Sequence, residues 1–242
     1  MAKISESDPS SGNDVGDKVR TLFSEIAPRY DLLNHLLSLN IDRSWRRKAV
    51  ELLGWQDKRH GYFLDTCAGT FDLSLELARR PDFQGTVFAT DFAFPMLLEG
   101  RDKLCDSVKP VCGDSLRLPF LDSSFDGITI GFGVRNLSDL EAGFNEMARV
   151  LRPGARLVVL EFTYPPNKIL RFIYQLYFHK ILPILGSLIS GHPWAYTYLP
   201  ESLKDFPDPE ELASLMRNSG FGNVHWQLLT GGIVSIHVGV YL

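Results

Sequence analysis

Asp65 stands where an apolar run, Tyr62-Phe63-Leu64, meets the short turn Thr66-Cys67-Ala68-Gly69-Thr70-Phe71-Asp72. The amphipathic pattern Leu73-Ser74-Leu75-Glu76-Leu77-Ala78 follows, so the stretch reads as strand, tight turn and helix start. Small residues in such a turn let a ligand approach the backbone, and the first N–H groups of the helix offer donors. A dinucleotide loop wants G-x-G-x-x-G, and this turn has only Gly69. An acid at the strand end instead accepts hydrogen bonds from an ammonium or a hydroxyl, which suits the amino-acid end of S-adenosylmethionine better than a pyrophosphate. Taken alone, the loop is equally an ordinary strand-to-helix turn.

Two further acids repeat the placement. Gln84 to Asp91 reads as a second strand ending in Asp91, and Pro110-Val111-Cys112-Gly113-Asp114-Ser115 as a third that ends at Asp114. Each aspartate alone could be a helix cap or a turn former. Three at one edge of a sheet point to a polar ligand, and in doubly wound sheets the acid after the second strand takes ribose hydroxyls.

The elements that must position these groups alternate along the chain. Phe125 to Gly131 is a fourth strand entering the loop Phe132-Gly133-Val134-Arg135-Asn136. Phe92 to Leu104 and Asp139 to Leu151 read as helices, the second stopped by Pro153-Gly154, and Ala155 to Phe162 is a nearly all-apolar strand of the buried parallel type. The alternation predicts a mostly parallel sheet with helices on both faces, binding ligands beyond the carboxyl ends of its strands. Helix Asp208 to Ser219 and a terminal hairpin, Asn223–Leu229 and Ile233–Leu242, complete it, the last strand running against the others.

Before the first strand, residues 19–55 read as a helical cover, with Arg43, Arg46, Arg47 and Lys48 on the polar side of a helix from Trp45 to Leu53. Arg46, Arg47 and Lys48 fit a ligand-facing and a solvated reading equally. Tyr30 and Asn34, four apart, share a helix face and are pocket candidates. Residues 1–18, rich in Ser, Asp and Gly, read as a mobile tail without the apolar run of a signal peptide. The segment 166–192 is apolar nearly all round, and Lys168, Arg171 and Lys180 with Pro183 and Gly186 argue against a membrane-spanning helix. It fits a hairpin packed on the sheet, or a lid that touches membrane or a lipid-like substrate.

The 242 residues, 45 % of them hydrophobic, suffice for a sizeable core, and a net charge of -4 gives no electrostatic reason to expect nucleic acid. Three cysteines without CxxC spacing indicate a reduced, cytoplasmic protein, and no Cys/His cluster or HExxH suggests a metal.

Together these pieces resemble the class I S-adenosylmethionine-dependent methyltransferases, most closely the menaquinone and ubiquinone C-methyltransferase family. Phe23 to Asp31, Leu64 to Asp72, Gly131 to Asn136, Glu146 to Gly154, Tyr196 to Ser202 and Leu229 to His237 carry the resemblance, which extends over nearly everything after residue 19. It implies a single Rossmann-like domain, 19–242, with a seven-stranded sheet and an antiparallel last strand. S-adenosylmethionine would meet Asp65, Gly69 and Thr70 at its methionine end, Asp91 at its ribose, Asp114 and Ser115 at its adenine, and Gly131.

The implied reaction is C-methylation of a demethylmenaquinol, a polyprenyl naphthoquinol, with the ubiquinone precursor as a second candidate. Deprotonation of the quinol pushes electron density onto the ortho carbon, which attacks the sulfonium methyl in line. Arg135 is expected to stabilise the phenolate and Asn136 to orient it, with bracing of the loop as the alternative role for Arg135. Tyr30, Asn34 and Tyr196 are substrate candidates, and Tyr196, Tyr30 and His237 are weaker candidates for moving protons. A polyprenyl substrate implies peripheral attachment to the cytoplasmic membrane face, and a homodimer is compatible with the sequence.

One position departs from the family's Gly-Thr-Gly-Asp: Phe71 stands at the third residue, where a positive φ would be costly. Its ring could pack outward, face the sulfonium through a cation–π contact, or block the site. The last case would make the chain a catalytically impaired scaffold in a quinone-synthesis complex.

Overall fold

The computed structural model describes residues 20–25, 27, 30, 31, 38, 40–177 and 201–242. The predicted tail 1–18 lies outside them, as do Asn34, Tyr196 and the insertion beyond Tyr177.

Seven strands form one sheet in the order β3-β2-β1-β4-β5-β7-β6. They are β1 (Tyr62–Thr66), β2 (Thr86–Asp91), β3 (Val108–Cys112), β4 (Phe125–Gly131), β5 (Leu151–Phe162), β6 (Phe221–Leu229) and β7 (Val234–Tyr241). The first five pair in parallel, and β7 enters antiparallel between β5 and β6. The helices are α1 (Asp42–Leu52), α2 (Asp72–Ala78), α3 (Phe94–Gly100), α4 (Leu140–Val150), α5 (Lys168–Leu176) and α6 (Pro209–Asn218).

Both faces of the sheet's central strands are dry, which explains their continuous apolar runs. Along β5, Val158 and Leu160 join Trp45, Phe63, Phe71 and Leu75 on one face. Leu157 and Val159 join Leu64, Phe144, Met147 and Leu212 on the other. Period-two alternation with apolar residues at every step is what a strand covered by helices on both sides requires. Helix ends follow their local chemistry. Asp139 caps α4 by accepting from the Ala142 N–H, and Asp208 and Glu211 form a reciprocal capping box on α6.

Three expected boundaries move. Pro153 and Gly154 do not stop a helix short of β5 but lie within it, because the register slips between Phe125 opposite Leu151 and Gly127 opposite Arg156. Proline has no N–H to pair and Gly154 takes φ +82°, so a bulge is where both fit. The helix expected through Leu104 ends at Gly100 and continues as a 3-10 turn, Arg101–Lys103. Strand β3 stops at Cys112, and Asp114 lies beyond it in a turn bridged to Arg117.

The chain leaves β1 toward β2 and β3 and later returns to β4 on the other side. The crevice at the carboxyl ends of β1 and β4 is therefore the topological switch point where such sheets bind ligands.

Candidate active site

At this crevice the sequence places its aspartates and two loops. A cavity of about 610 Å3 is walled by Gly69, Asp91, Asp114, Ser115, Gly131 and Asn136, with Phe23 and Tyr30 of the N-terminal cover on the opposite side. A narrow pocket of about 30 Å3 runs beneath the first loop between Asp65, Gly69, Thr70, Asp72, Arg46 and Tyr30. Tyr30, Cys67, Gly69, Gly131 and Phe132 line both.

Asp65, 1 % exposed, is pushed up to about 6 by burial, although Ser74 (2.5 Å) and Thr129 (3.1 Å) donate hydrogen bonds to it. Asp91 is also raised by burial, while its carboxylate accepts the N–H groups of Gly69 (2.8 Å) and Ala93 (2.9 Å). Those two bonds and a third from the Phe92 N–H fix the carboxylate against the loop and leave acceptor capacity for a ligand hydroxyl. Ser115 is buried and its hydroxyl joins those of Thr66 (2.7 Å) and, through it, Thr90 (3.2 Å) beneath the loop. Asp114 is exposed on the cavity rim and accepts from the Leu116 N–H.

The backbone is bent hard around the crevice. Cys67, Phe71 and Phe132 take φ values of +53°, +73° and +58°. Left-handed conformations cost a bulky residue about 1–2 kcal/mol each, and they concentrate where a site dictates the backbone. Gly133 explains part of the bend, since a Cβ there would lie 2.4 Å from the Cβ of Cys67. The two loops thus meet without intervening side chain. Burial pushes the Cys67 thiol up, so it stays neutral.

Phe71 turns away from the cavity. Its ring is fully buried among the core residues and lines neither pocket. Gly100 of α3 makes room for it, as a Cβ there would stand 2.6 Å from the ring. Of the three orientations open in the sequence, the structure adopts outward packing, not a ring facing the sulfonium.

Arg135 makes the contacts of the bracing role, the alternative open in the sequence. It pairs with the fully buried Glu161 at the end of β5, donates to the Phe132 carbonyl (2.8 Å), and stacks over the Phe162 ring at 5.5 Å. Its side chain, 7 % exposed, braces the loop and is absent from the lining of both pockets, whereas Asn136 lines the large one. His237 is fully buried on β7, donates Nε2–H to the Pro209 carbonyl (2.8 Å), and lines neither pocket.

The basic run of α1 divides. Arg43 and Arg47 are exposed, while Arg46 is buried, bonded to Asp42 and 3.3 Å from Asp72. Lys103 bridges Asp72 (2.8 Å) to Asp31 (2.6 Å), which also accepts from Thr70. Sequence reasoning missed this network. Its legible trace is Asp42 four residues before Arg46, the spacing at which helix neighbours pair. Phe132 lines both pockets and stacks on Phe162 at 4.6 Å, and in the sequence nothing but its place in the loop after the fourth strand marks it.

Among the described residues no group of acids, histidines and cysteines could hold a metal ion. The crevice offers acids at strand ends, hydroxyls, and a narrow charged extension. The family model for the ubiE/COQ5 methyltransferase family matches residues 12–241. The chain belongs to the ubiE/COQ5 methyltransferase family. Among its relatives, the demethylmenaquinone methyltransferase of Thermus thermophilus is 49 % identical, covering 90 % of this chain and 99 % of that protein. The Deinococcus radiodurans demethylmenaquinone methyltransferase is 46 % identical over 93 % of each chain. The ubiquinone/menaquinone biosynthesis C-methyltransferase UbiE of Geobacter sulfurreducens is 42 % identical, covering 93 % and 88 %. Among solved structures, an S-adenosylmethionine-dependent methyltransferase from Thermotoga maritima shares the fold, with TM-score 0.66 at 19 % identity over 92 % of this chain and 99 % of that one.

For a member of the ubiE/COQ5 methyltransferase family the residues at the crevice fit the cofactor, S-adenosylmethionine, on their own chemistry. The buried Asp91 offers acceptors for hydroxyls, and the pocket under Gly69 pairs acids with a cation, which matches a zwitterionic tail.

Proposed function

We propose that the protein methylates a ring carbon of a demethylmenaquinol, with the ubiquinone precursor as a second substrate of the same site. The supporting observation is the convergence of Asp65, Asp91 and Ser115 on the crevice that the loop Gly131–Asn136 closes, in a chain whose relatives bear those enzymes' names. In this reading Asp91 holds the ribose, Ser115 and Asp114 flank the adenine, and the methionine end points its charged tip at the narrow pocket. When bound, S-adenosylmethionine supplies an electrophilic methyl on its sulfonium.

The chain's own work is placement and exclusion of water. Asn136 and Tyr30, both on the large cavity, orient the quinol oxygen. Arg135 acts one step back, fixing the loop that carries Asn136 through Glu161. The polyprenyl tail finds a separate groove of about 380 Å3 lined by Phe162, Tyr164, Phe206, Trp226 and Leu228. The Phe132–Phe162 stack stands between the two cavities.

Contact with a membrane surface belongs to the same reading. Ile169, Phe172, Ile173 and Leu176 of α5 are 73, 66, 56 and 47 % exposed, a stripe of i, i+3, i+4 and i+7 flanked by Lys168 and Arg171. Among the described residues no helix is long and apolar enough to cross a membrane.

The deciding experiment incubates the purified protein with methyl-labelled S-adenosylmethionine and a short-chain demethylmenaquinol kept reduced. Label on the ring carbon, absent with the oxidised quinone, is expected. Cofactor binding without transfer to any quinol would leave the scaffold role standing and defeat this one.

A further inference from the structure

The pocket beneath the first loop contains a charge that the strand-end aspartates leave unexplained. Arg46 projects from α1, is 8 % exposed, and lines the pocket together with Asp65, Gly69, Thr70 and Asp72. Among the described residues of that lining it is the one cation. Lys103, nearby, is engaged by Asp31 and Asp72 and does not line the pocket, and Arg20 lines only the large cavity.

We propose that Arg46 binds the α-carboxylate of the methionine moiety and thereby lets the site tell S-adenosylmethionine from adenosyl sulfur compounds that lack this carboxylate. The inference rests on the cofactor placement given above and adds the residue that reads one end of it. A carboxylate entering a pocket that already holds Asp65 and Asp72 is repelled unless a cation meets it. The guanidinium can do so while keeping its other partners, because it has five N–H donors in a planar fork. One nitrogen of Arg46 is bonded to Asp42, whose other oxygen accepts from Ser38 (2.7 Å), and the second faces Asp72 at 3.3 Å. These partners hold the fork in place before any ligand arrives, so little side-chain entropy is lost on binding. Arg46 is buried in a run otherwise open to solvent at Arg43 and Arg47.

Arg46 also ties α1 to α2, so the test must separate a ligand contact from a brace. Calorimetric titration of the wild type, Arg46→Gln and Arg46→Lys would use S-adenosylmethionine and decarboxylated S-adenosylmethionine, which keeps the ammonium and loses only the carboxylate. The wild type is expected to prefer the former by about tenfold or more, the scale of a charge-assisted hydrogen bond. In Arg46→Gln that preference should fall to within about twofold while the decarboxylated compound binds as before, and Arg46→Lys should lie between. Equal weakening of both ligands, with the preference kept, would make Arg46 a brace and overturn the proposal. A wild type without preference would overturn it too, even if the Gln variant failed to fold. A wild type that bound neither ligand would overturn the cofactor placement itself.

Discussion

Phe71 occupies a left-handed backbone position and yet is one of the largest fully buried side chains, so two opposite effects meet in one residue. Emptying the space of its ring costs about 3–5 kcal/mol, whereas relieving the left-handed strain returns about 1–2 kcal/mol. Packing wins. Phe71→Gly should therefore lower unfolding stability in urea by about 1–4 kcal/mol and change S-adenosylhomocysteine affinity less than about threefold, because the ring lines neither pocket. Restored or greatly improved binding in the variant would contradict the outward packing. His237 gives a second test at this scale. Burial lowers it from 6.5 to about 4, so the folded protein resists a proton that the unfolded chain accepts. Above pH 6.5 the residue contributes nothing, and as pH falls through the window between 6.5 and 4 it removes stability. The stability of the wild type relative to His237→Leu should drop by about 2 kcal/mol between pH 7 and pH 5. Asp65, raised from 3.8 to about 6, acts with the opposite sign, gaining stability as pH falls through that window, and cancels in the comparison.

At the scale of elements, the loop after β4 is fixed by an ion pair that no exposed pair could replace. Glu161 is fully buried and Arg135 nearly so, and removing one partner of such a pair leaves an uncompensated charge costing about 3–5 kcal/mol. Arg135→Met should destabilise by that amount in urea unfolding, and the further change Glu161→Leu should recover most of it. An Arg135→Met protein of unchanged stability but lost turnover would instead make Arg135 a group that meets the substrate. The elements themselves were legible because strands covered on both faces have an unmistakable apolar run, and because the acids of β1 and β2 mark the ends where those runs stop. Side-chain direction was not. Whether Arg46 or Arg47 turns inward depends on Asp72 on another helix, and whether Arg135 meets substrate or Glu161 depends on a strand 26 residues later. Pro153-Gly154 misled for a related reason: a bulge and a helix stop use the same residues, and only the pairing with β4 distinguishes them.

For the whole molecule, the helix that carries the exposed stripe also reaches the groove, since Arg171 of α5 is part of its lining with Tyr164 and Pro166. Ile169→Ser with Phe172→Ser should reduce flotation with anionic vesicles severalfold while leaving the melting temperature within a few degrees, since both side chains are already exposed. Unchanged flotation would assign the stripe to another surface, such as a second copy of this chain. The path of the chain carries a consequence for its synthesis. Trp45 of α1 donates its indole N–H to Thr230 (2.8 Å), and β7 supplies the inner neighbour that both β5 and β6 need. During translation the cover therefore lacks this last tie until almost the whole chain has left the ribosome, although α1 already packs on α2, β4 and β5. A product halted before Val234 would hold every strand-end aspartate and still present β5 as an unpaired apolar edge, a substrate for chaperones and proteases instead of a weakened enzyme.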